Sequence, residues 1–275
     1  MKYTFLLCFF TLTTSHAQRL ADLEYDAMDS TNTDVERYNR DNKVYKSNTE
    51  FVFDYVILKG KDTLKCQFVK QEFGVPKWQL VKPNNTHPFV VNTIGFAVLP
   101  HYLNDNQTGM KIIYYNKEGK VVSDMERTGL VENDKNTWLH PPRAQFFAIT
   151  EFNSFPYIKA PYVIGNKWTS GLTVGYFDSY QRFNLTWEGV LNTHETLEII
   201  DKVDLPTALG VLPCFVVRGV AKSSLTETKS WFYYNETFGF VKIIYDLFDK
   251  SRLELTLKEV KKIAPPPLYN PFGND

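Results

Sequence analysis

His140-Pro141-Pro142-Arg143 is the stretch whose residue types point most directly at chemistry. Two prolines restrict the backbone between an imidazole and a guanidinium, so both side chains are held at low entropic cost. Arg143 carries the planar fork that grips a carboxylate or a phosphate. Glu151 lies close enough in the chain to complete an acid–base pair with His140. The alternative reading is structural: the segment staples two parts of the chain together, with Arg143 in an ion pair. Other catalytic signatures are missing from the sequence. It has no Gly-x-Ser-x-Gly elbow and no Cys-x-x-Cys or His-Glu-x-x-His pattern, and His87, His101, His140 and His194 lack the spacing of metal ligands. No metal and no cofactor is expected. Acidic residues are numerous, so a carboxylate pair suited to glycoside hydrolysis stays open.

A second group of candidates is aromatic. Trp168, Tyr176, Phe177, Tyr180, Phe183 and Trp187 crowd into one short region. They either line a groove for a sugar or lipid or fill a core. The surplus of large rings beside strands that already carry their own Leu and Val suggests an apolar sheet face left partly open. Trp168 and Trp187 are expected to border it, and Tyr176, His140 and Arg143 complete the expected ligand-binding set. Cys66 and Cys214 each lie in a strand-like run with apolar neighbours at spacing 2. In an exported protein they could form a disulfide; otherwise they are buried thiols.

The elements that must position these residues are strands. In Cys214–Ala221 one face carries Phe215, Val217, Gly219 and Ala221, and in Leu253–Lys258 three leucines alternate with Glu254, Thr256 and Lys258. Thr226–Tyr234 and Phe240–Tyr245 are joined by Asn235–Gly239, where Gly239 supplies the positive φ of a short hairpin loop. Further strands are expected at Phe51–Leu58, Thr63–Val69, Thr93–Leu99, Lys111–Tyr115, Lys120–Met125, Trp168–Tyr176 and Tyr180–Glu188. The expected class is all-β with minor α. A small antiparallel β domain over 44–128 precedes a curved sheet or half-barrel over 166–262. Between them, 129–165 holds Pro141, Pro142, Pro156 and Pro161 and reads as a connector packed on the sheet. Residues 18–43 form a polar arm and 263–275 a proline-rich tail.

Residues 1–17 read as an export signal: Lys2, then the apolar run Phe5–Leu12, then Ser15-His16-Ala17 with small residues at the cleavage positions. Cleavage after Ala17 would leave Gln18 first and the protein periplasmic or secreted. No later stretch has the roughly 20 apolar residues of a spanning helix, so the mature chain is expected to lack a transmembrane segment. Lys+Arg and Asp+Glu both number 31. That balance shows none of the basic excess by which nucleic-acid binding is recognised.

The order "GNKW", "DLPTALGVLPCFVVRG", "SWFYYNETFGFVKIIY" and "LELTLKEV", over about residues 160–262, resembles a family of periplasmic proteins of unknown function from gram-negative bacteria. That family is similar in fold to the LolA and LolB lipoprotein carriers. The resemblance implies an incomplete barrel of curved antiparallel sheet closed by helices. The function expected from signal, motifs and resemblance is a non-enzymatic exported β protein that binds an amphiphilic ligand or a partner protein at the cell envelope. The alternatives are a hydrolase of envelope polysaccharide or lipid centred on His140, Arg143 and Glu151, and a structural partner of an outer-membrane complex.

Overall fold

The computed structural model describes residues 42–69, 77–104, 107–175 and 183–264 and the backbone of Tyr25–Asp26; the side chains of 101–104 are outside it. The expected signal, Tyr176, most of the polar arm and most of the proline-rich tail lie outside the described residues.

Alternation in the sequence becomes strand after strand. In chain order they are β1 (Tyr25–Asp26), β2 (Thr49–Lys59), β3 (Asp62–Val69), β4 (Lys77–Val81), β5 (Thr93–Asn104), β6 (Gln107–Tyr115), β7 (Val121–Glu132) and β8 (Asn136–Leu139). After an eight-residue 3-10 helix, Gln145–Phe152, come β9 (Tyr157–Lys159), β10 (Lys167–Gly175), β11 (Val190–Thr207), β12 (Gly210–Lys222), β13 (Glu227–Asn235), β14 (Gly239–Asp246) and β15 (Arg252–Lys262). The sheet runs β1-β10-β11-β12-β13-β14-β15-β2-β5-β6-β7-β8-β9, and β3 and β4 branch from it. Apart from the short parallel β1–β10 pair, all pairing is antiparallel. This is the expected all-β class, bent into a nearly closed barrel. At its seam Tyr157 of β9 and Trp168 of β10 meet edge to face at 5.3 Å.

The two regions expected as separate β domains share this one sheet, because β15 pairs along the length of β2. They also share one core, from Tyr45 through Phe96, Trp138 and Val217 to Leu257. The segment 129–165, expected as a connector, is the most buried part of the chain. The end of β7, then β8 and β9, belongs to the wall, and the 3-10 helix between them fills the barrel, with Phe146, Phe147, Ile149 and Phe152 at most 1% exposed. Proline can stand here because the segment needs few ladder bonds. Its polar groups are met locally, as where Leu139 N–H donates to the Pro156 carbonyl and the Thr150 hydroxyl to the Pro142 carbonyl, both at 2.9 Å.

One wall of the barrel is lined by small or polar side chains. Ser170, Thr193, Glu195, Gly219, Ala221, Thr228 and Ser230 are all buried, and the chain leaving the inner helix docks on them. A side chain at Gly219 would lie within 2.8 Å of Ser154 Oγ, so glycine is required for that approach. Asn153 Nδ2 donates to the carbonyls of Lys229 and Asp246 at 3.1 Å, and Thr228 Oγ1 donates to the Phe152 carbonyl at 2.6 Å.

Tyr45 closes part of the interior. Its ring lies 4.7 Å from Phe51, and its hydroxyl accepts the Phe240 N–H at 2.9 Å. Gly239 leaves room for that hydroxyl, which a Cβ would approach to 2.3 Å. Among the described residues no helix is long and apolar enough to cross a membrane.

Candidate functional site

His140, Arg143 and Glu151 do come together, and they meet around Glu126 of β7, which nothing in the sequence marks. His140 is 3% exposed, with its ring 4.6 Å from Phe155 and 5.8 Å from Trp138. Arg143 Nη1 lies 3.2 Å from His140 Nε2. A guanidinium only donates, so Nε2 accepts and the ring proton stands on Nδ1, which donates to the Pro141 carbonyl at 3.2 Å. Burial first, then the Arg143 charge, push the imidazole down to about 3. Glu126 accepts the backbone N–H of Arg143 at 2.9 Å, that of Ala144 at 3.1 Å and the Tyr114 hydroxyl. Burial nevertheless pushes its carboxyl up to about 6. The Arg143 guanidinium stands 3.7 Å from Glu151 and 3.9 Å from Glu126, and it donates to the Arg127 carbonyl at 3.2 Å.

The cluster holds the entrance of the inner helix against β7. An imidazole of such low basicity, with both nitrogens engaged, is a poor general base at neutral pH. Glu126→Gln should therefore act on stability: one oxygen becomes an amide nitrogen, which then faces either the Arg143 N–H or the Ala144 N–H and the Tyr114 hydroxyl, at a cost of about 1–2 kcal/mol. Urea unfolding of the variant measures this. An unchanged midpoint would mean that the carboxylate does not hold the helix.

The aromatic candidates part company. Trp168, expected at the border of an open face, is 2% exposed and belongs to the core, because β10 turns Trp168, Ser170, Leu172 and Val174 inward together. Trp187 is half-buried and meets Phe152 edge to face at 5.8 Å. The two cysteines are buried free thiols, Cys66 on β3 and Cys214 on β12. Burial pushes Cys66 well up; burial, then Asp204, pushes Cys214 up to about 11. Neither is a ready nucleophile. Among the described residues, no three His, Cys, Asp or Glu side chains gather as a metal site would need.

Trp187 belongs to a continuous run of rings that follows the inner helix from Phe146 near its start to Phe152 at its end. Trp78 of β4 meets Phe146 at 5.2 Å and stacks on Phe183 at 5.5 Å. Phe183 meets Phe248 at 6.0 Å, and Phe248 meets Phe152 at 5.2 Å. The run has two levels. Phe146 and Phe152, with Ala148, Val174 and Leu191 beneath the Trp187 end, are sealed; Trp78, Phe183, Leu185, Trp187 and Phe248 above them are partly buried. Trp78 and Phe248 were not legible as partners of this group, because they come from other parts of the chain and only the barrel collects them.

No family model matches the chain, and no curated protein matches it. Solved structures that resemble it include the following three. A protein named for export, with a YmcC-like fold, from Bacteroides fragilis NCTC 9343 is 11% identical, covers 80% of this chain and 99% of its own, and gives a TM-score of 0.39. A protein of Parabacteroides distasonis ATCC 8503 named as a lipoprotein is 13% identical, with coverages of 80% and 100% and a TM-score of 0.42. The hypothetical lipoprotein YmcC from Escherichia coli K12 is 12% identical, with coverages of 82% and 92% and a TM-score of 0.31. At such identities and scores the likeness says nothing of ligand or chemistry.

Proposed function

We propose that this is an exported, non-enzymatic envelope protein that binds an amphiphile over the run of rings along its inner helix, in the manner of a LolA- or LolB-like carrier. The observation that carries the reading is the upper level of rings. Trp78, Phe183, Trp187 and Phe248 come from three separate segments and, only partly buried, lie over a sealed layer. A contiguous apolar surface of this kind favours an apolar occupant, since covering it contributes about 25 cal/mol per Å². The signal-like residues 1–17 support the periplasmic or secreted location. The His140 cluster supports a binding rather than a hydrolytic protein, because its polar groups are spent on one another and on backbone.

Trp187→Ala tests the reading. The ring is half-buried, so its loss should cost about 1–2 kcal/mol, below the 3–5 kcal/mol of a fully buried tryptophan. The same change should abolish retention of co-purified lipid in native mass spectrometry. A large stability loss with lipid retention unchanged would make Trp187 ordinary packing and overturn the site.

A further inference from the structure

Where β3 leaves β2, the sheet forks. Ile57–Lys59 of β2 pair with β3, whereas Thr49–Asp54 pair with β5. Strand carbonyls at the branch lose their ladder partners, and Lys65 supplies donors in their place. Its ammonium donates to the Tyr55 carbonyl and, at 3.1 Å, to the Asn92 carbonyl. An ammonium has three N–H bonds, so one remains. Beside this fork, on the outside of the barrel, opens a cleft of about 330 Å³ lined by Val52, Asp54, Lys65, Asn92, Thr93, Tyr115 and residues of two further segments. The β6–β7 turn brings Lys117, and β15 brings Lys258, Glu259 and Lys261.

A bulge in β15 builds that third side. Leu257 pairs with Phe53 and Glu259 with Val52, so Lys258 is the extra residue and stands exposed next to an exposed Glu259. Bulges re-aim side chains in this way. The lining thus holds four lysines against two carboxylates, Asp54 and Glu259. Asp54 stands 3.9 Å from Lys258. Buried Glu50, beneath the cleft, is engaged by Lys261 at 3.4 Å and by the Tyr115 hydroxyl at 2.7 Å. Positive charge remains in excess.

We propose that this cleft binds a phosphate group carried by a small polar molecule. Lysines act as point charges and accept a multiply charged anion from several directions, whereas the planar fork that recognises carboxylates is an arginine property, and no arginine lines the cleft. The volume is at the small end of ligand pockets, which suits a phosphorylated solute or a single headgroup. Burial, with a smaller contribution from Lys258, lowers Lys65 to about 8 despite Asp54; a bound anion would relieve that strain on its charge. The site shares no residue with the run of rings and does not rest on the amphiphile reading.

The probes are glycerol 3-phosphate, with glycerol as its uncharged control, followed by calorimetry at low salt, and vesicles of phosphatidic acid against phosphatidylcholine, followed by flotation. The variant is Lys117→Gln/Lys258→Gln; both side chains stand at the exposed rim, and neither donates to the carbonyls of the fork as Lys65 does, so the fold should be kept. Glycerol 3-phosphate should bind, glycerol should not, and the double variant should lose about tenfold or more in affinity. Binding of both the solute and phosphatidic acid, or of phosphatidic acid alone, lost in the variant, would assign a headgroup as well as, or instead of, a free solute. Binding of neither phosphate probe, or equal binding by the double variant, would overturn the proposal. Trp187→Ala should leave phosphate binding unchanged.

Discussion

Glu195→Gln is expected to make the protein about 3 kcal/mol more stable at pH 7 and to leave it nearly unchanged at pH 4. Glu195 lies on the inner face of β11, is 2% exposed, and neither oxygen makes a well-formed hydrogen bond. Burial pushes its carboxyl up to about 8, with the nearby Phe155 amide offsetting only part of that. The unfolded chain ionises this group near its ordinary value of 4.5. Below that value both states hold the proton and stability is unaffected. Between 4.5 and about 8 the unfolded state has released the proton and the folded state has kept it, so stability falls as pH rises. The fall is about 1.4 kcal/mol per pH unit and totals about 5 kcal/mol. It levels off once the folded carboxyl also ionises. Glutamine has no such proton, so its stability curve should lack this slope. Urea unfolding of both proteins at pH 4, 7 and 9 measures the difference. Parallel curves would mean that Glu195 is ionised inside the barrel and has found a compensating charge.

Loss of the carboxylate at Glu132 should have an effect of similar size in the opposite direction. Glu132, at the end of β7, accepts three consecutive backbone N–H groups: Lys43 at 2.7 Å, Val44 at 2.9 Å and Tyr45 at 2.8 Å. These bonds pin the segment that carries Tyr45 onto Phe51 and the Phe240 amide. Glu132→Ala removes both acceptor oxygens and leaves three N–H groups unmet, that of Tyr45 buried and those of Lys43 and Val44 partly so; a buried donor left unmet costs about 1–3 kcal/mol. A loss of about 4 kcal/mol is expected, with new binding of a hydrophobic dye as the Tyr45 closure loosens. Glu132→Gln keeps one acceptor oxygen and should lose about half as much. A midpoint unchanged in Glu132→Ala would show that water replaces the carboxylate at no cost and that the segment is held by Tyr45 alone.

Much of the wall was legible because a strand's alternation is a local property. Leu253, Leu255 and Leu257 point inward as their spacing requires, and Gly60, Gly119 and Gly239 occupy turns at positive φ. The inside was not legible. The prolines of 129–165 exclude ladder bonds, which in a sequence reads as a linker, yet the same property suits a segment packed within a barrel. The pair His140 and Arg143 was visible through its spacing. Glu126, which anchors them, was not, because a carboxylate on the neighbouring strand carries no local mark. Trp168 and Trp187 look alike in the sequence, and only their placement separates them: one on an inward-facing strand position, the other on a segment outside the wall.

By itself, then, the sequence determined the all-β class, most strand faces and the hairpin turns, since each depends on neighbours two residues away or on one glycine's φ. Tertiary structure alone decided that β15 joins β2 into a single sheet, that the proline segment fills the barrel, and that Lys65, Lys117, Lys258 and Lys261 line one cleft. Those pairings bring together residues up to about two hundred positions apart, and such contacts are chosen by the burial of the whole core rather than by any local preference.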